Sequence, residues 1–72
     1  MISDMVFEKS KKYRQHEILV TIGDYTEVDY TGQVDGYPLM IIKRDTYQWR
    51  FIRIRKDQYE LLSEGNGYYA SQ

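Results

Sequence analysis

Tyr47-Gln48-Trp49-Arg50-Phe51-Ile52-Arg53-Ile54-Arg55 decides the fold class. Tyr47, Trp49, Phe51, Arg53 and Arg55 fall on one side of a period-two pattern, and Gln48, Arg50, Ile52 and Ile54 on the other. No helical period sorts these residues, whereas aromatic and β-branched side chains fit a pleated surface. Both faces carry apolar groups, as in a strand of a small twisted barrel that serves the core with different faces along its length.

Working outward, Arg44-Asp45-Thr46 reads as a hairpin loop, and Tyr37 to Lys43 as the strand before it. The only proline, Pro38, stands near that strand's start, where a missing ladder N–H is tolerable. Gly32 and Asp35-Gly36 punctuate the approach. Tyr25 to Thr31 predicts another strand, with Val28 and Tyr30 opposite Glu27 and Asp29. Ile18 to Ile22, ending at Gly23-Asp24, predicts a further one.

The ends are less regular. Asp57 to Ser63 reads as a single helical or 3₁₀ turn opened by Asp57 as N-cap, from which Tyr59 with Leu62, or Leu61 alone, faces the core. Gly65-Asn66-Gly67 is a turn, and Tyr68-Tyr69-Ala70 a short closing strand. Residues 3–13 fit either a helix, with Ser3 as N-cap, or a strand at Met5-Val6-Phe7 entering a polar loop; the strand is preferred. Residues 1–4 and 71–72 are expected to fray. The expected fold is all-β: one 1–72 domain, a small SH3-like barrel of about five antiparallel strands.

With 72 residues the chain has one thin core, burying about 60% of the surface of its unfolded form. Cysteine is absent, which removes disulfides, thiolate zinc sites and cysteine nucleophiles. No apolar run approaches a transmembrane span, and the N-terminus lacks a signal-peptide pattern, so a cytoplasmic location is expected. One histidine, His16, is read as a surface group at a strand start, because Glu17 would point to the opposite strand face. Asp57, Glu60 and Glu64 could share a helical face but are read as solvated acids, and Glu64-Gly65-Asn66-Gly67 as a turn without the lysine of a phosphate loop. Neither catalysis nor a cofactor nor a metal is expected.

The net charge of −1 conceals segregation: residues 17–42 hold five acids and no base, and residues 43–56 six bases and one acid. This pattern fits oppositely charged strands pairing across a sheet, or a surface with one acidic and one basic face. Two candidate binding surfaces follow. One is acidic and tyrosine-bearing: Asp24, Tyr25, Glu27, Asp29, Tyr30, Asp35 and Tyr37. Tyrosine supplies contact area with little entropy loss, so this set points to a protein partner, and self-association is compatible with it. The other is basic and aromatic: Lys43, Arg44, Tyr47, Trp49, Phe51, Arg53, Arg55 and Lys56. Alternating rings and cations suit single-stranded nucleic acid, provided that Trp49 and Phe51 are exposed; in so small a chain they are also needed as core.

Met5-Val6-Phe7 with Lys12-Tyr13, Ile22-Gly23-Asp24 with Glu27-Val28, Gly32 and the Trp49 strand together make residues 5 to about 52 similar to a small SH3-like domain family of Gram-positive bacteria, their phages and mobile elements. A second tryptophan expected after Gly32 is Val34 here. The resemblance implies no activity and no site residue. It implies only a phage or mobile-element setting. Together with the acidic, tyrosine-bearing surface, the expected function is a non-enzymatic binding protein that modulates or inhibits a host or defence protein in the host cytoplasm.

Overall fold

The computed structural model describes residues 6–66. In chain order it contains α1 (Gln15–Ile22), β1 (Glu27–Asp29), β2 (Gln33–Val34), β3 (Tyr37–Arg44), β4 (Tyr47–Arg55) and β5 (Gln58–Asn66). The strands form one antiparallel assembly in the order β1-β3-β4-β5, with β2 also paired to β3. Five antiparallel strands and one short helix make a small all-β fold, consistent with the SH3-like class.

Tight turns set the registers. Asp35 and Gly36 both have positive φ, 51° and 86°, which matches the twist between β2 and β3. Asp45 at 54° and Asp57 at 53° turn the next two hairpins, which pair Arg44 with Tyr47 and Arg55 with Gln58. Leu62 and Ile54 are extra residues at two bulges between β4 and β5. Such insertions bend and twist the long hairpin, bringing Tyr59 and Leu61 onto the same face as Phe51.

That face is the core. Met40 lies opposite Phe51 and Ile42 opposite Trp49, and α1 covers them with Ile18 and Ile22. Phe7 completes the cluster, packing edge-on to Phe51 and to Tyr13. Trp49 and Phe51 are therefore core residues, 8% and 0% exposed.

Several expectations need correction, among them the turn at Gly65-Asn66, since both residues belong to β5 and lie opposite Gln48 and Tyr47. Ile18 to Ile22 is helix, not strand: Ile18 and Ile22 at i and i+4 both reach the core, and the helix ends find partners elsewhere in the fold. At the start, Gln15 N–H donates to Asp57 Oδ1 and Arg14 N–H to Glu17 Oε1, each at 2.9 Å. At the end, Gly23, with φ 82°, donates to the Leu19 carbonyl. His16 consequently sits on the helix, exposed.

The helical turn expected in 57–63 is also absent. Asp57 occupies the β4–β5 turn and caps α1 instead of a helix of its own, and Gln58 onward is strand. Between residues 6 and 12 there is neither the preferred strand nor a helix; Tyr13 alone bridges to Tyr59. Residues 1–4, the closing strand 68–70 and the tail 71–72 lie outside the described residues. The strand expected over 25–31 contracts to Glu27–Asp29.

Candidate protein-interaction edge

β1 and β2 lie along the same side of β3, β1 against Ile41 to Lys43 and β2 against Tyr37 and Pro38. The chain between them passes beside Leu39: Gly32 accepts from the Leu39 N–H at 3.0 Å, and a Cβ on Gly32 would sit 3.2 Å from Leu39 Cδ2. A side chain there would require the buried Leu39 to shift by a few tenths of an ångström. One edge thus runs from Asp24 to Tyr37 along β3, about 20 Å at 3.3 Å per residue.

All seven acidic and tyrosine candidates fall on this edge. Tyr25, Tyr30 and Tyr37 are 43%, 53% and 44% exposed, and Asp24, Glu27 and Asp35 are exposed as well. Asp29 is half-buried and structural: its Oδ1 accepts from the Thr31 N–H and hydroxyl at 2.9 and 2.7 Å. These bonds, the backbone one foremost, hold its carboxyl below the ordinary value. The Tyr30 hydroxyl accepts from Gln15 Nε2 at 2.7 Å, which fixes the exposed ring against the start of α1. Glu27 faces Lys43 across the ladder, 4.0 Å away, a loose pair of small energetic weight.

The basic set is divided by the fold. Lys43 answers Glu27, whereas Arg44 turns inward, donating from Nη2 to the Ile22 carbonyl at 2.6 Å and from Nε to the Asp24 carbonyl at 2.9 Å. Its guanidinium also covers Trp49, 5.1 Å from the ring centre, and Tyr47 packs edge-on against the same ring. Trp49 and Phe51 are buried, so the aromatic platform required for base stacking does not form. Arg53, Arg55 and Lys56 remain exposed at the β4–β5 turn.

Asp57, Glu60 and Glu64 do not converge: Asp57 caps α1, Glu60 pairs with Lys12 at 2.9 Å, and Glu64 lies opposite Trp49. Among the described residues no group of acids and histidine has the spacing of a metal site. No helix of the described residues is long and apolar enough to cross a membrane.

Sequence reading missed a shallow groove of ≈ 440 Å³ between α1 and residues 11–13, bordered by Lys12, His16 and Val20. Val20 is 65% exposed there. The signal was available only to a reader who had already assigned 15–22 as helix, since strand spacing places Val20 with Ile18 and Ile22.

Glu64 carries a testable cost. Its Oε1 is buried without a hydrogen-bond partner, and burial raises the carboxyl above its ordinary value, the Tyr47 hydroxyl pulling the other way. Tyr47 is raised in turn, by burial first and then by the Glu64 charge. An acid whose pKa is raised on folding destabilises the fold while ionised; the cost fades as pH falls through the folded value and is gone below the unfolded one. Glu64→Gln is therefore expected to raise the melting temperature at pH 7 by roughly 2–4 °C, from about 0.5 kcal/mol. Paired thermal melts should show this gain vanishing near pH ~4.

No family model, curated protein or solved structure matches the chain.

Proposed function

We propose that this protein is a non-enzymatic binding module that engages another protein through the edge formed by β1, β2 and the start of β3. The observation that carries this reading is the fate of the aromatic side chains. Tyr25, Tyr30 and Tyr37 stay exposed on one edge beside carboxylates, whereas Tyr47, Trp49 and Phe51 are used in packing. Exposed tyrosine held by a rigid scaffold is suited to an interface, because its large contact area is ordered before binding. In the setting implied by the sequence resemblance, the partner is a host or defence protein whose action this module modulates or inhibits by stoichiometric binding.

The test is crosslinking capture in cells with the tagged protein, compared across two double variants. Tyr25→Ala with Glu27→Ala is expected to lose the captured protein and keep a native melting profile. Arg53→Ala with Arg55→Ala is expected to keep it. Equal capture by the first variant and the parent removes the edge from the function.

A second reading, single-stranded nucleic acid binding, keeps one supporting observation: Arg53, Arg55 and Lys56 are exposed together at one turn. Three phosphate contacts imply an affinity falling with salt at a slope of about −2 in logarithmic terms. Oligonucleotide titration at low salt without binding at tens of micromolar eliminates this reading.

A further inference from the structure

Among the described residues β1 is hydrogen-bonded on one side only, to β3. In an antiparallel ladder alternate residues turn their N–H and C=O groups away from the partner strand, so the outer side of β1 presents unfilled ladder positions. The side-chain pattern of β1 restricts what can fill them. Glu27 and Asp29 stand opposite Lys43 and Ile41 on the sheet face away from the core, and Val28 stands opposite Ile42 and packs against the core from the other face.

Self-pairing is disfavoured by this pattern. Antiparallel pairing of two β1 strands about Val28 would set Glu27 of each copy opposite Asp29 of the other. Like charges directly opposite one another destabilise a strand pair, and here the contact occurs twice. The same edge is complementary to a strand of opposite charge with the same alternation. Tyr25 and Tyr30 flank it at either end, both exposed.

Resting on the protein-binding reading of this edge, we infer that β1 accepts an added strand from a partner: an extended segment of alternating basic and apolar residues. Its lysine or arginine side chains lie beside Glu27 and Asp29, and the apolar residue between them lies beside Val28. Backbone hydrogen bonds supply the docking, and the alternation fixes the register, since a one-residue slip would bring the apolar residue to the carboxylates.

The probe is a short capped peptide of alternating lysine and valine, titrated into the full-length isotope-labelled protein. The expected result is saturable amide shifts and slowed exchange confined to Thr26 through Tyr30. Replacing the peptide's lysines by glutamate, or N-methylating its amides on one edge and then the other, should weaken binding at least tenfold, in the second case for one edge only. Glu27→Lys should weaken the lysine peptide by a similar factor without changing the melting temperature appreciably, because Glu27 is exposed. Equal binding by both N-methylated peptides would falsify strand addition and leave the tyrosine edge as a surface contact. Absence of any binding by the lysine peptide also overturns the strand-addition inference, while undiminished cellular capture by the Tyr25/Glu27 variant overturns the edge reading itself.

Discussion

Phe51→Ala is expected to destabilise the protein by about 3–5 kcal/mol, the largest effect of any single substitution proposed for it. Phe51 is completely buried at the centre of β4, with Met40 opposite on β3 and Leu61 opposite on β5. Its ring meets Phe7 edge-on at 5.2 Å, and Phe7 meets Tyr13 the same way at 5.3 Å. Truncation therefore opens a cavity bounded by three strands and also unseats the segment that leads into α1. A chain of 72 residues has a total stability of only about 4–11 kcal/mol, so the variant should be largely unfolded at 37 °C. Urea unfolding checks this: the midpoint should fall steeply, and Phe51→Leu should retain most of it, with a cost of about 1–1.5 kcal/mol. A loss below 1 kcal/mol for Phe51→Ala would mean that the aromatic chain Tyr13, Phe7, Phe51 is not what organises the core.

Arg44→Met is expected to cost about 2–3 kcal/mol, although Arg44 looks from its sequence context like a surface cation. The guanidinium donates to the carbonyls of Ile22 and Asp24 and stacks over Trp49. Hydrogen bonds from a charged donor contribute about 1.5–3 kcal/mol when the acceptor is otherwise left without a partner, and a cation over an indole about 0.5–1 kcal/mol. These contributions overlap, and the estimate takes less than their sum. Ile22 closes α1, so the same group neutralises the negative end of the helix and ties it to the β3–β4 hairpin. Arg44→Lys should recover less than half of the loss, because an ammonium cannot fork between two carbonyls while lying flat on a ring. Chemical denaturation of the three proteins separates this from a nucleic-acid role, in which Arg44→Met would leave stability unchanged.

β3, β4 and the turns beside them were legible because their signals are local, whereas β5, read as a helical turn and a glycine turn, was not. Period-two alternation in Tyr47 to Arg55, the Asp35-Gly36 turn and the early position of Pro38 each report on the residues that carry them. The seven residues of the acidic edge were legible for a related reason: charges and tyrosines spaced along one stretch stay together when that stretch becomes an edge. The basic set was not resolved in the same way, since whether Trp49 is a stacking platform or a core residue depends on what lies across from it. Ile42 and Arg44 lie across from it and over it, and both come from β3.

Residues 15–22 show the limit most clearly. Ile18, Val20, Thr21 and Ile22 are β-branched and lean towards strand by propensity, and nothing adjacent in sequence contradicts that. The helix exists because its ends are satisfied from a distance: Asp57, 42 residues along the chain, accepts from Gln15, and Arg44, 22 residues along, donates to Ile22. Asp57 reads in sequence as the N-cap of a helix of its own for the same reason: the N–H it accepts from, that of Gln15, is distant along the chain. By itself the sequence determined a cysteine-free, all-β chain with one thin core, the hairpin of β3 and β4 and an acidic, tyrosine-bearing stretch, because alternation, turn chemistry and composition act between near neighbours. Tertiary structure alone decided that α1 closes the core, that Trp49 and Phe51 are interior and that β1 keeps an open side among the described residues, because those outcomes depend on hydrogen bonds and packing between residues far apart in the chain.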